Sequence, residues 1–521
     1  MLFLLPVIIF GLAAIGITAL RWRGMRMGYI WLLPFVLTLA TWLTLLILPV
    51  PTSPQMQEWN WLKLAGEYIT FQLIVDSTNW SFVFLLVSLV MVYFLTLTVR
   101  LVSEKRTILW VAWLLQGAIA VLAVTAGNLI TLLLMWTLID LLDYGFSRFV
   151  FKTVDPSLSP GSFLPSMLAI LLMMLAVVYS SEASGSLSVE TLSMPSGVLL
   201  FFAALLHMGI LPLRRPTNMD ESVCQSFGFF NRLVLIVTGL ALFSRLPVAL
   251  FSPVFTQLMV AFFWLLSLSF TILGYKEKAS LEYWCNALVC LAAIAVLGGQ
   301  PLSTPAWCAV ICVGIGMHQF YRVRTTQLGI FTWLTVAAIS ALPFTIASNA
   351  LQGLMQGNNL VWVILSLPIY ALLLIDFSRK TGAEKERTGQ MEAWYQAVYL
   401  FGLFLLILVP FALVVKNSNY LANAMQNWWL GAVVAALAIG GRIIISKLTF
   451  RGKTIKRINV LVIRIGRIFT FEWLADLYAW LALIIQEVIN FATQLLEGEG
   501  GIIWAIVILA LMISLVAAGR I

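Results

Sequence analysis

Two aspartates stand inside an otherwise apolar run, Leu129-Ile130-Thr131-Leu132-Leu133-Leu134-Met135-Trp136-Thr137-Leu138-Ile139-Asp140-Leu141-Leu142-Asp143. A charged group at the centre of a bilayer is expensive, roughly 2.5–3.5 kcal/mol on insertion scales, so such groups usually face a protein interior or a water path and often carry protons or ions. Asp140 and Asp143 are three residues apart, about 60° around a helix, and Thr137 lies about 60° to the other side of Asp140. Two carboxylates so close in a low dielectric resist ionising together, which suits a shared proton. The bland alternative is a helix that ends near Asp140, leaving both carboxylates at a surface to pair with Arg148.

His207 lies in a second apolar run, five residues before Pro212. An imidazole gives and takes a proton near neutral pH. The competing reading is a neutral histidine bonded to a carbonyl freed by the proline. Arg214 and Arg215 follow directly and are either surface anchors or an ion-pair gate to Asp140 or Asp143; Arg232 is placed to join the same network. His318 and Asp376 read as core or helix-end residues, the latter beside Arg379 and Lys380.

The elements that must hold these residues are membrane spans. The chain has 521 residues, 61% hydrophobic and 10% charged, with a mean hydropathy of +0.99; a soluble domain carries about 25% charged residues. Apolar runs long enough to span recur at 2–20, 29–50, 79–101, 107–125, 128–147, 165–181, 197–213, 226–247, 253–275, 282–299, 304–320, 326–348, 359–377, 394–416, 421–446 and 501–519. The fold class is an all-α polytopic membrane protein of about 14–16 helices. The net charge of +9 reflects basic loops after every odd span, such as Arg21-Trp22-Arg23, Lys105-Arg106 and Arg379-Lys380, and calls for no nucleic-acid partner. By the positive-inside rule the N-terminus is outside and these loops are cytoplasmic, in a cell inner (plasma) membrane. The first run has no preceding basic region and reads as a retained span rather than a cleaved leader.

Two segments are different. Residues 67–76 partly alternate and are rich in β-branched and aromatic types, predicting a short extracytoplasmic strand or hairpin. Residues 455–495 mix Arg464 and Arg467 with Phe469, Trp473, Trp480 and Ile484, the pattern of an amphipathic helix on the cytoplasmic face. The five cysteines form no CxxC pair and there are two histidines, so no metal or haem site is expected and no cofactor is assigned to this chain. No nucleotide loop, nucleophile elbow or zinc motif is present, and no catalytic site of its own is expected.

Four stretches resemble the antiporter-like membrane subunits of respiratory complex I, of multisubunit cation/proton antiporters and of membrane-bound hydrogenases. They are Phe71–Asp76 with Asn79-Trp80-Ser81-Phe82; Gly117 through Trp136; His207-Met208-Gly209-Ile210-Leu211-Pro212-Leu213-Arg214; and Ala338-Ile339-Ser340-Ala341-Leu342-Pro343-Phe344. The resemblance implies inverted five-helix repeats with broken helices at Pro212 and Pro343. It divides the chain into N-terminal spans with the strand segment (1–106), a first repeat (107–247), a second repeat (253–416) and a C-terminal region (417–521). It implies a proton path through Thr137, Asp140, Asp143, His207 and Arg232. Other membrane subunits, lipid and redox subunits with iron–sulfur clusters are the implied surroundings. The chain also departs from the family's pattern: Trp136-Thr137 stands for Trp-Glu, His207 for a lysine, Arg232 is the nearest cation to the eighth-span lysine, and Leu342-Pro343 stands for Pro-Pro. A proton-translocating subunit of a complex I-like or hydrogenase-like assembly is therefore set against a non-pumping scaffold, and against a subunit of a cation/proton antiporter or of proton-driven inorganic-carbon uptake.

Overall fold

In a computed structural model the described residues are 4–24, 30–64, 67–100, 106–150, 160–184, 187–189, 192–210, 222–276, 280–320, 323–324, 329–357, 360–383, 386–387, 393–417, 420–422, 428–448 and 472–496, with 506, 509–510 and 513. Among them the chain is almost wholly helical. In order come α1 (Leu5–Trp22), α2 (Leu32–Ile47), strands β1 (Gln55–Leu64) and β2 (Glu67–Val75), then α3 (Ser77–Arg100), α4 (Arg106–Thr125), α5 (Leu129–Val150), α6 (Pro160–Ser184) and α7 (Met194–His207). The second half contains α8 (Ser222–Phe243), α9 (Pro253–Lys276), α10 (Ser280–Leu297), α11 (Thr304–Phe320), α12 (Gly329–Ile339), α13 (Ile346–Gly357), α14 (Leu360–Ala383), α15 (Ala393–Lys416), α16 (Trp428–Leu448) and α17 (Glu472–Leu496). Eight of the described helices are long and apolar enough to cross a membrane, and seven shorter ones are apolar too.

Helices α3 and α11 run through the middle, enclosed by protein on nearly every side. Their walls are aromatic: Trp80 stacks on Phe84 at 5.3 Å, and Tyr93 meets Phe230 edge-on at 4.9 Å. The peripheral helices turn large apolar side chains outward, Ile8, Leu12 and Ile15 on α1 and Met167, Leu171, Met174 and Val178 on α6. An outward apolar band of this kind is suited to lipid.

Strands β1 and β2 pair antiparallel, Gln55 opposite Val75 through Leu64 opposite Glu67, with an irregularity at Asn60/Leu62. The strand predicted at 67–76 is thus the second arm of a hairpin whose first arm, 55–64, the sequence pattern did not mark. The hairpin pins the turn between α4 and α5. Gln72 O accepts from Gly127 N at 2.7 Å, Asn128 donates to Thr70 O at 2.7 Å, and Gln72 N donates to Thr131 Oγ1 at 3.0 Å. Asp76 caps the start of α3 through Asn79 N, and Arg245, at the end of α8, clamps the carbonyls of Val124 and Ala126. The start of the helix carrying Asp140 is therefore held from three sides. This end of the bundle is called the hairpin face below; it also bears the Gly298–Ser303 turn, tied through Leu302 O to Tyr420.

Two helices stop inside the bundle. Helix α7 ends in a Schellman turn: Gly209 N bonds to Leu206 O at 2.9 Å and Ile210 N to Leu205 O at 3.1 Å, with Gly209 at φ 62. That left-handed value is open to glycine without penalty. The described end falls at His207, whereas the hydropathy pattern carried this span to 213; Pro212, Arg214 and Arg215 lie outside the described residues. The span read at 326–348 is two helices, α12 and α13, separated by Ser340–Thr345. Pro343 lies in this turn, with Ala341 and Phe344 both in the left-handed region. Helices of 11 and 12 residues are about 16–18 Å long, about half a membrane each.

Helix α5 continues to Val150, which overturns the alternative of a helix ending near Asp140. Of the amphipathic segment at 455–495, Glu472–Leu496 is helical, rests against α6 and exposes Trp480, Leu483, Val488, Ile489 and Phe491. Residues 449–471 and nearly all of the last apolar run lie outside the described residues.

Candidate functional site

Asp140 stands eleven residues into α5, about 16 Å below its start at the hairpin face. It is buried, as is His207 at the last turn of α7, with 4% and 1% exposure. Asp140 Oδ2 and His207 Nδ1 are 4.0 Å apart. Trp136, one turn before Asp140 on the same face of α5, lies flat against the imidazole: centroids 3.8 Å apart, planes inclined by 2°. One turn of α5 thus holds the histidine by its face and by one edge.

The other ring nitrogen faces α8. His207 Nε2 is 3.3 Å from Thr238 Oγ1, and Thr238 spends its own proton on Val234 O at 2.9 Å. The hydroxyl oxygen is left to accept, so the bond pattern assigns a proton to Nε2. Nδ1 is the nitrogen turned to Asp140.

Arg232, also buried, reaches from α8 into the end of α7. Its guanidinium donates to Met208 O, to Gly209 O at 3.2 Å and to Asn286 Oδ1 of α10 at 2.6 Å. These two backbone oxygens sit at a helix C-terminus, where the free carbonyls and the helix dipole present partial negative charge. The approach is close because residue 239 is glycine: a Cβ there would fall 2.3 Å from Met208 Cγ. Arg232 thus joins α7, α8 and α10 with a charge that is never lost at working pH. Nearby, Gln116 Nε2 and Asn231 Oδ1 are 3.5 Å apart.

Of the residues singled out in the sequence, the structure brings together Asp140, His207 and Arg232. Thr137 is half-buried and bonds its own helix at Leu133 O, 2.8 Å. Asp143 is one turn nearer the opposite face and partly exposed, so the two aspartates occupy different surroundings. Asp376 is buried and paired with Lys380 and with Arg379 at 3.1 Å. Both cations also bond carbonyls of α9, Gly274 and Tyr275, so this cluster ties α14 to α9 at the basic end. Thr238 and Asn286 went unmarked in the sequence, and Trp136 was marked only as part of the Trp136-Thr137 motif, not as a partner of His207. Only Asn286, a lone amide in an apolar helix, carried a signal that intramembrane polarity would have flagged. Among the described residues no group of three His, Cys, Asp or Glu is placed to hold a metal ion, and Cys285, Cys290, Cys308 and Cys312 are buried free thiols.

No protein-family profile matches the chain, and no curated protein sequence is significantly similar to it. Solved structures do match. A chain of the Mrp complex from Dietzia sp. DQ12-45-1b superposes with a TM-score of 0.66 at 13% identity, covering 100% of this chain and 63% of that one. A chain of the membrane-bound sulfane sulfur reductase, an archaeal respiratory membrane complex, gives 0.60 at 15% identity, covering 98% and 99%. The present chain therefore spans somewhat under two thirds of the Mrp chain and essentially the whole of the reductase chain. At these identities the shared property is the fold.

Proposed function

We propose that the chain is a proton-handling antiporter-like subunit of a multisubunit, energy-converting membrane complex, and that Asp140 and His207 are its proton-holding pair. The observation that carries this is the meeting of a buried carboxylate and a buried imidazole at 4.0 Å beside the end of a broken helix. With Nε2–H committed to Thr238, one proton moves between Asp140 Oδ2 and His207 Nδ1: a carboxylic acid facing a neutral ring, or a carboxylate facing an imidazolium. The separation is about 1 Å beyond a hydrogen bond, so a small rotation of either side chain, or one bridging water, completes the transfer. Trp136 stabilises the imidazolium form through its ring face. Arg232 supplies a fixed positive charge near the pair and does not itself carry the proton. Movement of charge in a neighbouring subunit would bias the two forms.

Full-length similarity to a chain of a respiratory membrane complex supports partner membrane subunits and, in the same assembly, redox subunits with iron–sulfur clusters. The ion moved, its direction and an inner-membrane setting with the N-terminus outside belong to the same proposal. The rival reading, a scaffold without transport, is favoured by one observation: the second break holds no charged side chain among its described residues.

The test is proton flux in vesicles containing the complex. A positioned proton donor or acceptor contributes about 10²–10⁴-fold, so Asp140→Asn and His207→Gln are each expected to lower flux about 100-fold while assembly is retained. Native flux in both variants would establish the scaffold reading instead.

A further inference from the structure

The interface between α11 and α13 carries a set of polar groups that the proton-holding pair does not use. Both amide atoms of Asn349 and both of Gln352 are buried and have no hydrogen-bond partner among the described residues, and the same holds for Thr304 Oγ1 and Trp307 Nε1. The four residues are at most 4% exposed. Thr304 and Trp307 are three apart on α11, and Asn349 and Gln352 three apart on α13, so each pair occupies one helix face.

A close contact fixes how the two helices meet. The backbone of α13 lies so near Ser303 that a Cβ on Gly353 would fall 2.2 Å from Ser303 Cβ. From that point α11 runs into the bundle, while α13 climbs toward it. Both advance about 1.5 Å per residue. One step inward therefore sets Thr304 level with Gln352, and four steps set Trp307 level with Asn349. The outer end of this ladder is the Gly298–Ser303 turn on the hairpin face. At its inner end the Trp307 ring stands edge-on to Tyr370 at 5.9 Å, and Tyr370 donates to Ile339 O, the last helical carbonyl before the second break.

Native chains seldom leave buried amide groups without partners, and ordered water is the usual partner where protein supplies none. A buried water makes about three hydrogen bonds, so six such atoms match about two or three waters. We infer that Thr304, Trp307, Asn349 and Gln352 form a built water site, a neutral wet slot from the Gly298–Ser303 turn to the second break. None of the four holds a charge, so the slot passes a proton only along its water and cannot store one. Its use in transport rests on the Asp140–His207 reading; its existence does not.

Millisecond radiolytic hydroxyl-radical footprinting of the intact complex, read by mass spectrometry, tests it, because oxidation marks side chains beside ordered water. Trp307 is compared with Trp284, which is also buried, and slightly less so, but bonded to Leu373 O at 3.1 Å. Trp307 is expected to oxidise at least tenfold faster than Trp284 in the native protein, and at the Trp284 rate in the Asn349→Leu, Gln352→Leu double variant. Equal protection of the two tryptophans in the native protein overturns the slot, and needs no variant to fold. Fast Trp307 oxidation that persists in the double variant overturns the assignment to the two amides. Flux measured on Asp140→Asn in parallel separates the proposals: native flux with a labelled Trp307 removes the proton-holding pair and leaves the slot standing.

Discussion

The two helix breaks solve one structural problem with different chemistry. At the first, α7 ends on Gly209 in a left-handed turn, and its freed carbonyls at Met208 and Gly209 are taken by a guanidinium. A carboxylate, an imidazole and an indole crowd against that end. At the second, non-glycine residues, Ala341 and Phe344, adopt the left-handed conformation, each at a cost of roughly 1 kcal/mol, and a phenol takes the Ile339 carbonyl. The polar residues near it, Asn349 and Gln352, are neutral. A broken helix in this fold is thus a means of presenting backbone carbonyls in mid-bundle. Whether it becomes a site for protons depends on which side chain is sent to meet them. A cation there creates a field that neighbouring acids and bases respond to, whereas a phenol satisfies the carbonyl and stops.

The largest effect should come from removing that cation. Arg232→Met leaves two backbone carbonyls and Asn286 Oδ1 without their donor, and each buried acceptor so orphaned costs about 1–3 kcal/mol. The expected outcome is a large drop in the thermal unfolding midpoint of the purified protein together with loss of flux. Arg232→Lys should recover only part of the stability, since one ammonium cannot reproduce the three-way fork. An unfolding midpoint unchanged in Arg232→Met would dissolve the contrast between the breaks.

Next in size is Trp136→Leu. It removes the ring face under His207, a contact worth about 2 kcal/mol to the imidazolium form, so flux should fall roughly 30-fold; the buried indole also leaves a cavity, and the unfolding midpoint should drop as well. Trp136→Phe keeps an aromatic face and should sit between native and leucine. A leucine variant as active as native protein means that the stack is packing alone.

Thr238→Val takes away the acceptor for Nε2–H. The valine is nearly isosteric, and the lost bond is about 1 kcal/mol; a several-fold fall in flux is expected, and a shift in the ring's nitrogen NMR signals would report the changed proton position. The smallest effect belongs to the second break. Tyr370→Phe frees Ile339 O at a cost of about 1 kcal/mol, in the range found for hydrogen bonds between membrane helices, and should leave flux at native level. A strong flux defect there would make the two breaks functionally alike.

Much of this was legible beforehand, and the reasons are local ones. Asp140, His207 and Arg232 announce themselves as ionisable groups in apolar runs, and the spans around them follow from hydropathy, because the requirement for about 20 apolar residues acts on each segment separately. The hairpin was half visible: β2 alternates, whereas β1, with Trp59, Asn60, Trp61 and Lys63, does not show a clean period. The pairing of Asp140 with Asp143 was a helix-wheel expectation, and a wheel contains no depth; Asp143, one turn further on, meets a less enclosed part of the bundle. Trp136 could be read as the tryptophan of a motif, but its place against the His207 ring could not be known until α7 was seen to cross it.

What the sequence determined by itself is therefore the membrane class, the helical architecture and the identity of the ionisable groups that had to be accommodated. Only the tertiary structure decided that Asp140 meets His207, that Thr238 takes one ring nitrogen and leaves the other to the carboxylate, and that Arg232 closes the end of α7. Those contacts join α5, α7, α8 and α10 through residues 24 to 67 positions apart, from Arg232–Met208 to Asp140–His207. No local periodicity encodes which faces of separate helices will be pressed together. That outcome is set by packing, by where Gly209 ends one helix and where Gly239 lets another approach it.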